Sequence, residues 1–227
     1  MTDTTVKAQL LDAIKPHVPF DGWTDAALRA AMEDAGISRG LAQAACPRGA
    51  VDLALAFHEE DDAAMLLQLD ATDLSAMRFR DRVALAVRYR LEAADDKELV
   101  RRGVTLFALP QYAWDGTQAV WKTCDRIWTA LGDTSDDINW YTKRATLSGV
   151  YSSTLLYWLG DDSIGHARTW EFLDRRIENV MQIEKVKAQV NDNKVLSALL
   201  AGPKAVLGRV RPPQSRSATG MPGRWSR

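Results

Sequence analysis

Apolar residues recur along most of this 227-residue chain at spacings of three and four, the period of an amphipathic helix. No alternating run of β-branched residues bounded by Asn-Gly or Asp-Gly interrupts them. The pattern predicts an all-α fold, a helical bundle of about ten helices. Residues 4–16 form the first, with Val6, Leu10, Leu11 and Ile14 inward and Pro16 and Pro19 flanking its end. Thr24 caps a second helix that buries Ala27, Leu28, Ala31 and Met32, and Gly36 stops it. Ser38 caps a short third helix with Leu41 inward, and Pro47-Arg48-Gly49 breaks it. A longer helix starts near Gly49 with Val51, Leu53, Leu55, Ala56 and Phe57. Residues 63–93 divide into two helices near Ala71-Thr72-Asp73, and further helices follow at 95–109, 112–131, 137–159 and 166–190. Pro110 and the turn Gly160-Asp161-Asp162-Ser163 punctuate them.

Charge changes this picture in three places. Residues 58–62, His-Glu-Glu-Asp-Asp, read as a solvated helix face, because one His without a spaced second nitrogen ligand makes a poor metal site. Arg78, Arg80, Arg82, Arg88 and Arg90 read as surface charge balancing those acids. Helix, glycine turn and short helix within residues 1–58 match a helix-turn-helix with the spacing of TetR-type repressors. A duplex-binding module presents a basic face. Residues 1–50 instead hold five basic residues (Lys7, Lys15, Arg29, Arg39, Arg48) against six acids. The would-be recognition segment, residues 38–46, is mostly small and apolar. The reading is a retained scaffold, with a ligand-responsive DNA regulator as the alternative.

Aromatic residues mark the body at 59–190. Trp114, Trp121 and Trp128 recur every seven residues, on one stripe of the 112–131 helix. They form either an aromatic core or the wall of a cavity admitting a hydrophobic ligand. Leu147, Val150, Tyr151, Thr154, Leu155 and Trp158 share a face of the next helix. At its start Trp140 and Tyr141 stand beside Lys143 and Arg144. Neighbouring helical residues point about 100° apart, so the two rings cannot both enter one core stripe. At least one is expected at the surface, as a snorkelling ring or as an anchor for a partner. Packing of the pair across a two-fold axis, in a homodimer, is the other outcome.

The end of the chain has a different character. Leu196, Leu199, Leu200, Val206, Leu207 and Val210 share a face with Pro203, close to Lys204, Arg209 and Arg211. From Ala201 onward there are six basic residues and no acids. An apolar stripe followed by cations suits a helix lying in a membrane interface, so residues 191–211 are expected to associate with membrane and 212–227 to be a disordered basic tail. The net charge of −1 adds no attraction for nucleic acid. No apolar run approaches the ~18 residues of a spanning helix, and no basic-then-apolar leader opens the chain. The expectation is a cytoplasmic protein attached peripherally to the inner membrane. The two cysteines, Cys46 and Cys124, read as reduced structural thiols.

No Gly-rich phosphate loop, serine elbow, Cys/His pairing or Glu-x-x-His pair is present. The three histidines, His17, His58 and His166, stand in unrelated contexts. The reading is a non-catalytic protein without metal or cofactor.

The run DINWYTKRATLSGVYSSTLLYWLGDDS at 137–163, with TWEFLDRRIENVM at 169–181, closely resembles the C-terminal signature of the coenzyme Q biosynthesis protein nine family. The resemblance implies a TetR-like fold and a lipid-binding accessory role in ubiquinone biosynthesis. It implies isoprenoid quinone precursors or phospholipid as ligands, enclosed by helices between about 76 and 190, and an amphipathic, membrane-directed last helix. Trp114, Trp121, Trp128, Leu147, Tyr151, Leu155 and Trp158 are the expected lipid contacts. It further implies that Asn139, Trp140, Tyr141 and Arg144 meet the demethoxyubiquinone hydroxylase. Leu196, Leu199, Leu200, Lys204, Val206, Leu207 and Arg209 are the expected membrane contacts.

Overall fold

The structure, a computed structural model, describes residues 2–94 and 96–192, with the last helix's side chains described as far as Gln182. The expected membrane segment beyond Asp192, with Leu196, Leu199, Leu200, Lys204, Val206, Leu207 and Arg209, lies outside the described residues, as does 212–227. Among the described residues the elements are α-helices and one 3-10 turn.

Helices α1 (Asp3–Ile14), α2 (Val18–Asp21), α3 (Asp25–Asp34) and α4 (Arg39–Ala45) gather around a first apolar cluster. Their boundaries follow local chemistry. Thr24 Oγ1 accepts the Ala27 N–H and Ser38 Oγ accepts that of Leu41, each satisfying a donor the first helical turn leaves open. Gly36 adopts φ +61° after α3, a conformation that costs other residues energy. Leu41, expected inward, is 47% exposed; α4 buries Ala42 instead. One position's rotation by about 100° on so short a helix is enough to exchange the two.

Helix α5 (Ala50–Asp70) joins this module to the body. A boundary at residue 58 falls inside this continuous helix. Its first half packs Leu53 and Ala54 into the first cluster, and its second half packs Met65 and Leu69 into another. That second cluster is built by α6 (Phe79–Glu92), α8 (Ala113–Ala130), α9 (Ile138–Leu159) and α10 (Ala167–Asp192). It buries Val87, Leu91, Ile127, Tyr151 and Leu173 almost completely, each worth about 1.5–3 kcal/mol by area. Helix α7 (Lys97–Phe107) crosses the seam, where Trp23 Nε1 donates to the Leu99 carbonyl at 3.2 Å. Both cysteines are free and buried, and burial pushes the Cys124 thiol up to about 12. No helix among the described residues is long and apolar enough to cross a membrane.

Candidate functional site

A groove of about 730 Å³ opens between α5, α7, α8 and α9. Small residues make the room. Ala113, Gly116 and Thr117 of α8 face Ala145, Gly149 and Ser152 of α9, where larger side chains would close the gap. Gly116 also allows α7 to approach, since a Cβ there would stand 2.6 Å from Phe107 Cβ. Val104, Phe107, Val120, Trp121, Leu155 and Leu156 supply apolar walls. The rim is open, with Leu156 59% exposed, and the floor is closed by Ala54, Phe57, Leu99 and Tyr151. The size lies within the ordinary range for small-molecule sites.

The floor is also where the charges are. His58, Asp61 and Arg90 reach the groove, and Asp62 lies fully buried behind them. Arg90 Nε donates to Asp62 Oδ1 at 2.6 Å, its Nη1 to Asp61 Oδ2 at 3.0 Å, and its Nη2 to His58 Nδ1 at 3.1 Å. Asp62 is further held by Thr123 Oγ1 at 2.9 Å and by Arg126 Nη1 at 2.5 Å. Burial, reinforced by the Arg90 charge, lowers His58 to about 4, so its imidazole is neutral near pH 7. With Nδ1 accepting from Arg90, the ring proton sits on Nε2, 2.8 Å from Thr123 Oγ1. Burial raises Asp61 to about 6 against the pull of Arg90.

The solvated face expected at 58–62 is therefore corrected: Asp61 and Asp62 are buried, and so is Arg90 among the arginines read as surface charge. The signal was available. Ala54, Phe57, Asp61, Met65 and Leu69 fall three or four residues apart, on the inward face of α5. Two carboxylates on that face require an arginine, and Arg90 lies on the buried stripe of α6 with Val83, Ala86 and Val87.

A second assembly sits where α9 begins. Asp137 Oδ1 caps the helix by accepting the Asn139 N–H at 2.8 Å. Trp140 and Tyr141 meet edge to face, with ring centroids 4.8 Å apart, and both lean on Trp121, at 5.9 and 6.4 Å. Asn139 is exposed and the two rings are half-buried. Arg144 differs from its expected surface role. It is 2% exposed, paired with Asp125 at 2.6 Å and Asp133 at 2.9 Å, and its guanidinium lies 4.0 Å from the Trp140 ring centre. It positions the tryptophan from behind. Burial works against ionising Asp133, yet hydrogen bonds from Lys143, Arg144 and Ser135 prevail and hold it well below the usual carboxylate range.

The structure divides the expected lipid contacts. Trp121, Tyr151 and Leu155 line the groove. Trp128 and Leu147 line a smaller pocket of about 210 Å³ with Phe79, Val83 and Ile177. Trp158 is buried under Lys97, whose Nζ lies 4.9 Å from the ring centre. Trp114 is 70% exposed. A seven-residue step advances about 10 Å along a helix, so one stripe of indoles meets three different surroundings. Among the described residues no group of three or more His, Cys, Asp or Glu side chains is placed to hold a metal.

Comparison with known proteins bears on this geometry. The COQ9 family model matches residues 113–184, the stretch holding α8, α9, their aromatic cluster and one side of the groove. "Ubiquinone biosynthesis protein COQ9, mitochondrial" of Drosophila melanogaster is 33% identical over 189 residues, covering 81% of this chain and 58% of that protein. The chain is a homologue of the COQ9 proteins. The COQ9 protein of Homo sapiens is 26% identical over 201 residues, covering 83% of this chain and 62% of its own length. A probable COQ9 of Dictyostelium discoideum is 28% identical, with 82% and 63% covered. The chain thus spans about three-fifths of these relatives. A solved structure, the TetR transcriptional regulator from Nitrosomonas europaea ATCC 19718, superposes with a TM-score of 0.63 at 16% identity, covering 76% of this chain and 96% of the regulator. That likeness establishes a TetR-like fold for this COQ9 homologue.

Proposed function

We propose that this protein is a non-catalytic, lipid-binding accessory protein of ubiquinone biosynthesis, one that takes up an isoprenoid quinone intermediate and hands it to the demethoxyubiquinone hydroxylase at the membrane. The observation that carries the reading is the groove: apolar-walled, open at the rim, and about 730 Å³. Such a site suits a ligand whose long apolar part is costly to expose to water, at about 25 cal/mol per Å². The names of the COQ9 relatives support the pathway. The half-buried pair Trp140 and Tyr141, with exposed Asn139 beside them, is the proposed contact for the hydroxylase. Trp121 touches both rings and also lines the groove, so ligand and partner would meet across one side chain. The basic, leucine-bearing segment at 196–209 is the proposed membrane contact.

The test is to purify the protein natively, extract it with organic solvent and identify the lipids by mass spectrometry. Quinone precursor or another isoprenoid at near-stoichiometric level is the expected result. Protein free of lipid, which also fails to take up isoprenoid from vesicles, overturns the carrier reading.

A further inference from the structure

Resting on that reading, the geometry points to a head-group site on the groove floor, where Tyr151 and Asp61 receive a neutral head bearing a hydroxyl or ring carbonyl and exclude a phosphate. Tyr151 is 1% exposed and lines the groove, yet its hydroxyl makes no hydrogen bond among the described residues. The hydroxyl opens into the groove, where a ligand can supply the partner that the protein does not. Asp61 is 6% exposed and also lines the groove. It gives Oδ2 to Arg90 Nη1, leaving Oδ1 to accept from a ligand. The Arg90 guanidinium lies 6.0 Å from the Tyr151 ring centre, so the groups belong to one patch of floor.

Charge decides which head fits. The ionisable side chains lining the groove are His58, Asp61, Arg90 and Tyr151. Arg90 is already engaged by Asp61 and Asp62, and Arg126 by Asp62. The cations are thus matched by carboxylates, and His58 is neutral. A phosphate would enter a closed floor with no unpaired cation and with Asp61 facing it, and would lose its hydration for nothing comparable. A hydroxyl loses little, because it donates to Asp61 and accepts from Tyr151. The walls of Val104, Phe107, Val120 and Leu155 then cover the chain that follows the head.

The test is calorimetric titration of the full chain with geranylgeraniol and with geranylgeranyl phosphate, which share one tail. The alcohol is expected to bind at least about tenfold more tightly. Tyr151→Phe, which keeps the ring and its packing, should weaken the alcohol about fivefold to tenfold, one hydrogen bond's worth, and leave the phosphate unchanged. Equal or tighter binding of the phosphate overturns the head-group site while the carrier reading stands. So does alcohol binding that is indifferent to Tyr151→Phe. Failure of both ligands to bind removes the carrier reading and this site together.

Discussion

Two buried charge clusters, on the groove floor and at the start of α9, have the same composition and opposite characters. Each sets two cations against two aspartates: Arg90 and Arg126 with Asp61 and Asp62, Arg144 and Lys143 with Asp125 and Asp133. At α9 the key carboxylate is over-supplied. Asp133 takes Lys143, Arg144 and Ser135, and it is held strongly ionised. On the floor Asp61 has one partner, and burial drives its pKa upward to about 6. A saturated cluster is a prop, and here it holds Trp140 in place through Arg144. A cluster with unused hydrogen-bonding capacity facing a groove is equipped to meet a ligand. The difference teaches that burial and pairing alone do not mark a binding site; the unsatisfied remainder does.

The strongest way to break the comparison is to remove one arginine from each cluster. Arg90→Met leaves buried Asp61 without a partner and takes one of the two arginines from Asp62, and a loss of about 3–5 kcal/mol in denaturant unfolding is expected. Arg144→Met should cost less, because Lys143 still holds Asp133 and Asp125 is 42% exposed. Equal losses would mean that the clusters do not differ in the way described.

Acidity sharpens the floor's side of it. Asp61 is raised to about 6 from 3.8, so its folded form binds protons more readily, and its contribution to stability fades as pH rises through that interval. His58 is lowered to about 4 from 6.5, so its contribution is present at high pH and lost as pH falls through that window. The two slopes oppose each other. Asp61→Asn should expose the histidine's, with stability increasing by about 3 kcal/mol from pH 4 to pH 6.5, and His58→Asn should give the reverse trend. Denaturant midpoints measured at both pH values check this, and parallel profiles for the two variants would contradict it.

Smaller effects probe the packing around each cluster. Gly116→Ala places a Cβ against Phe107, and a loss of about 1–3 kcal/mol with narrowing of the groove is expected. Thermal unfolding and lipid uptake measure both. Trp140→Lys should cost about 1–2 kcal/mol and leave the protein folded, because the ring is half-buried but gives up its contacts with Tyr141 and Arg144. It should weaken binding to the hydroxylase all the same. Calorimetric binding equal to that of the unmutated protein would remove this surface from the proposed interface.

Much of the fold was legible along the chain because helix starts and stops are local. Thr24 and Ser38 cap as their types suggest, Gly36 terminates α3, and the groups at 137–159 and 112–131 are helices within a residue or two. The candidate site was legible only in pieces. Trp121, Tyr151 and Leu155 line one groove, but the tryptophan stripe does not stay together, and Arg144 turns inward. Asp61 and Arg90 read as solvated because charged residues in helices usually are, although their spacing places both on buried faces.

By itself, then, the amino-acid order determined the helices, their caps, the amphipathic faces and the kinship to COQ9 proteins, because period, capping and a long shared signature all act within one segment. Tertiary structure alone decided where the groove opens, since it depends on Gly116 of one helix meeting Phe107 of another. It alone decided which aspartate is saturated and which is left with an open oxygen, because Arg90 reaches Asp61 from α6, while Lys143 and Arg144 of α9 fold back onto Asp133. Long-range pairing of this kind leaves no periodic trace, and the open oxygen it leaves on Asp61 is what equips the groove to choose a ligand.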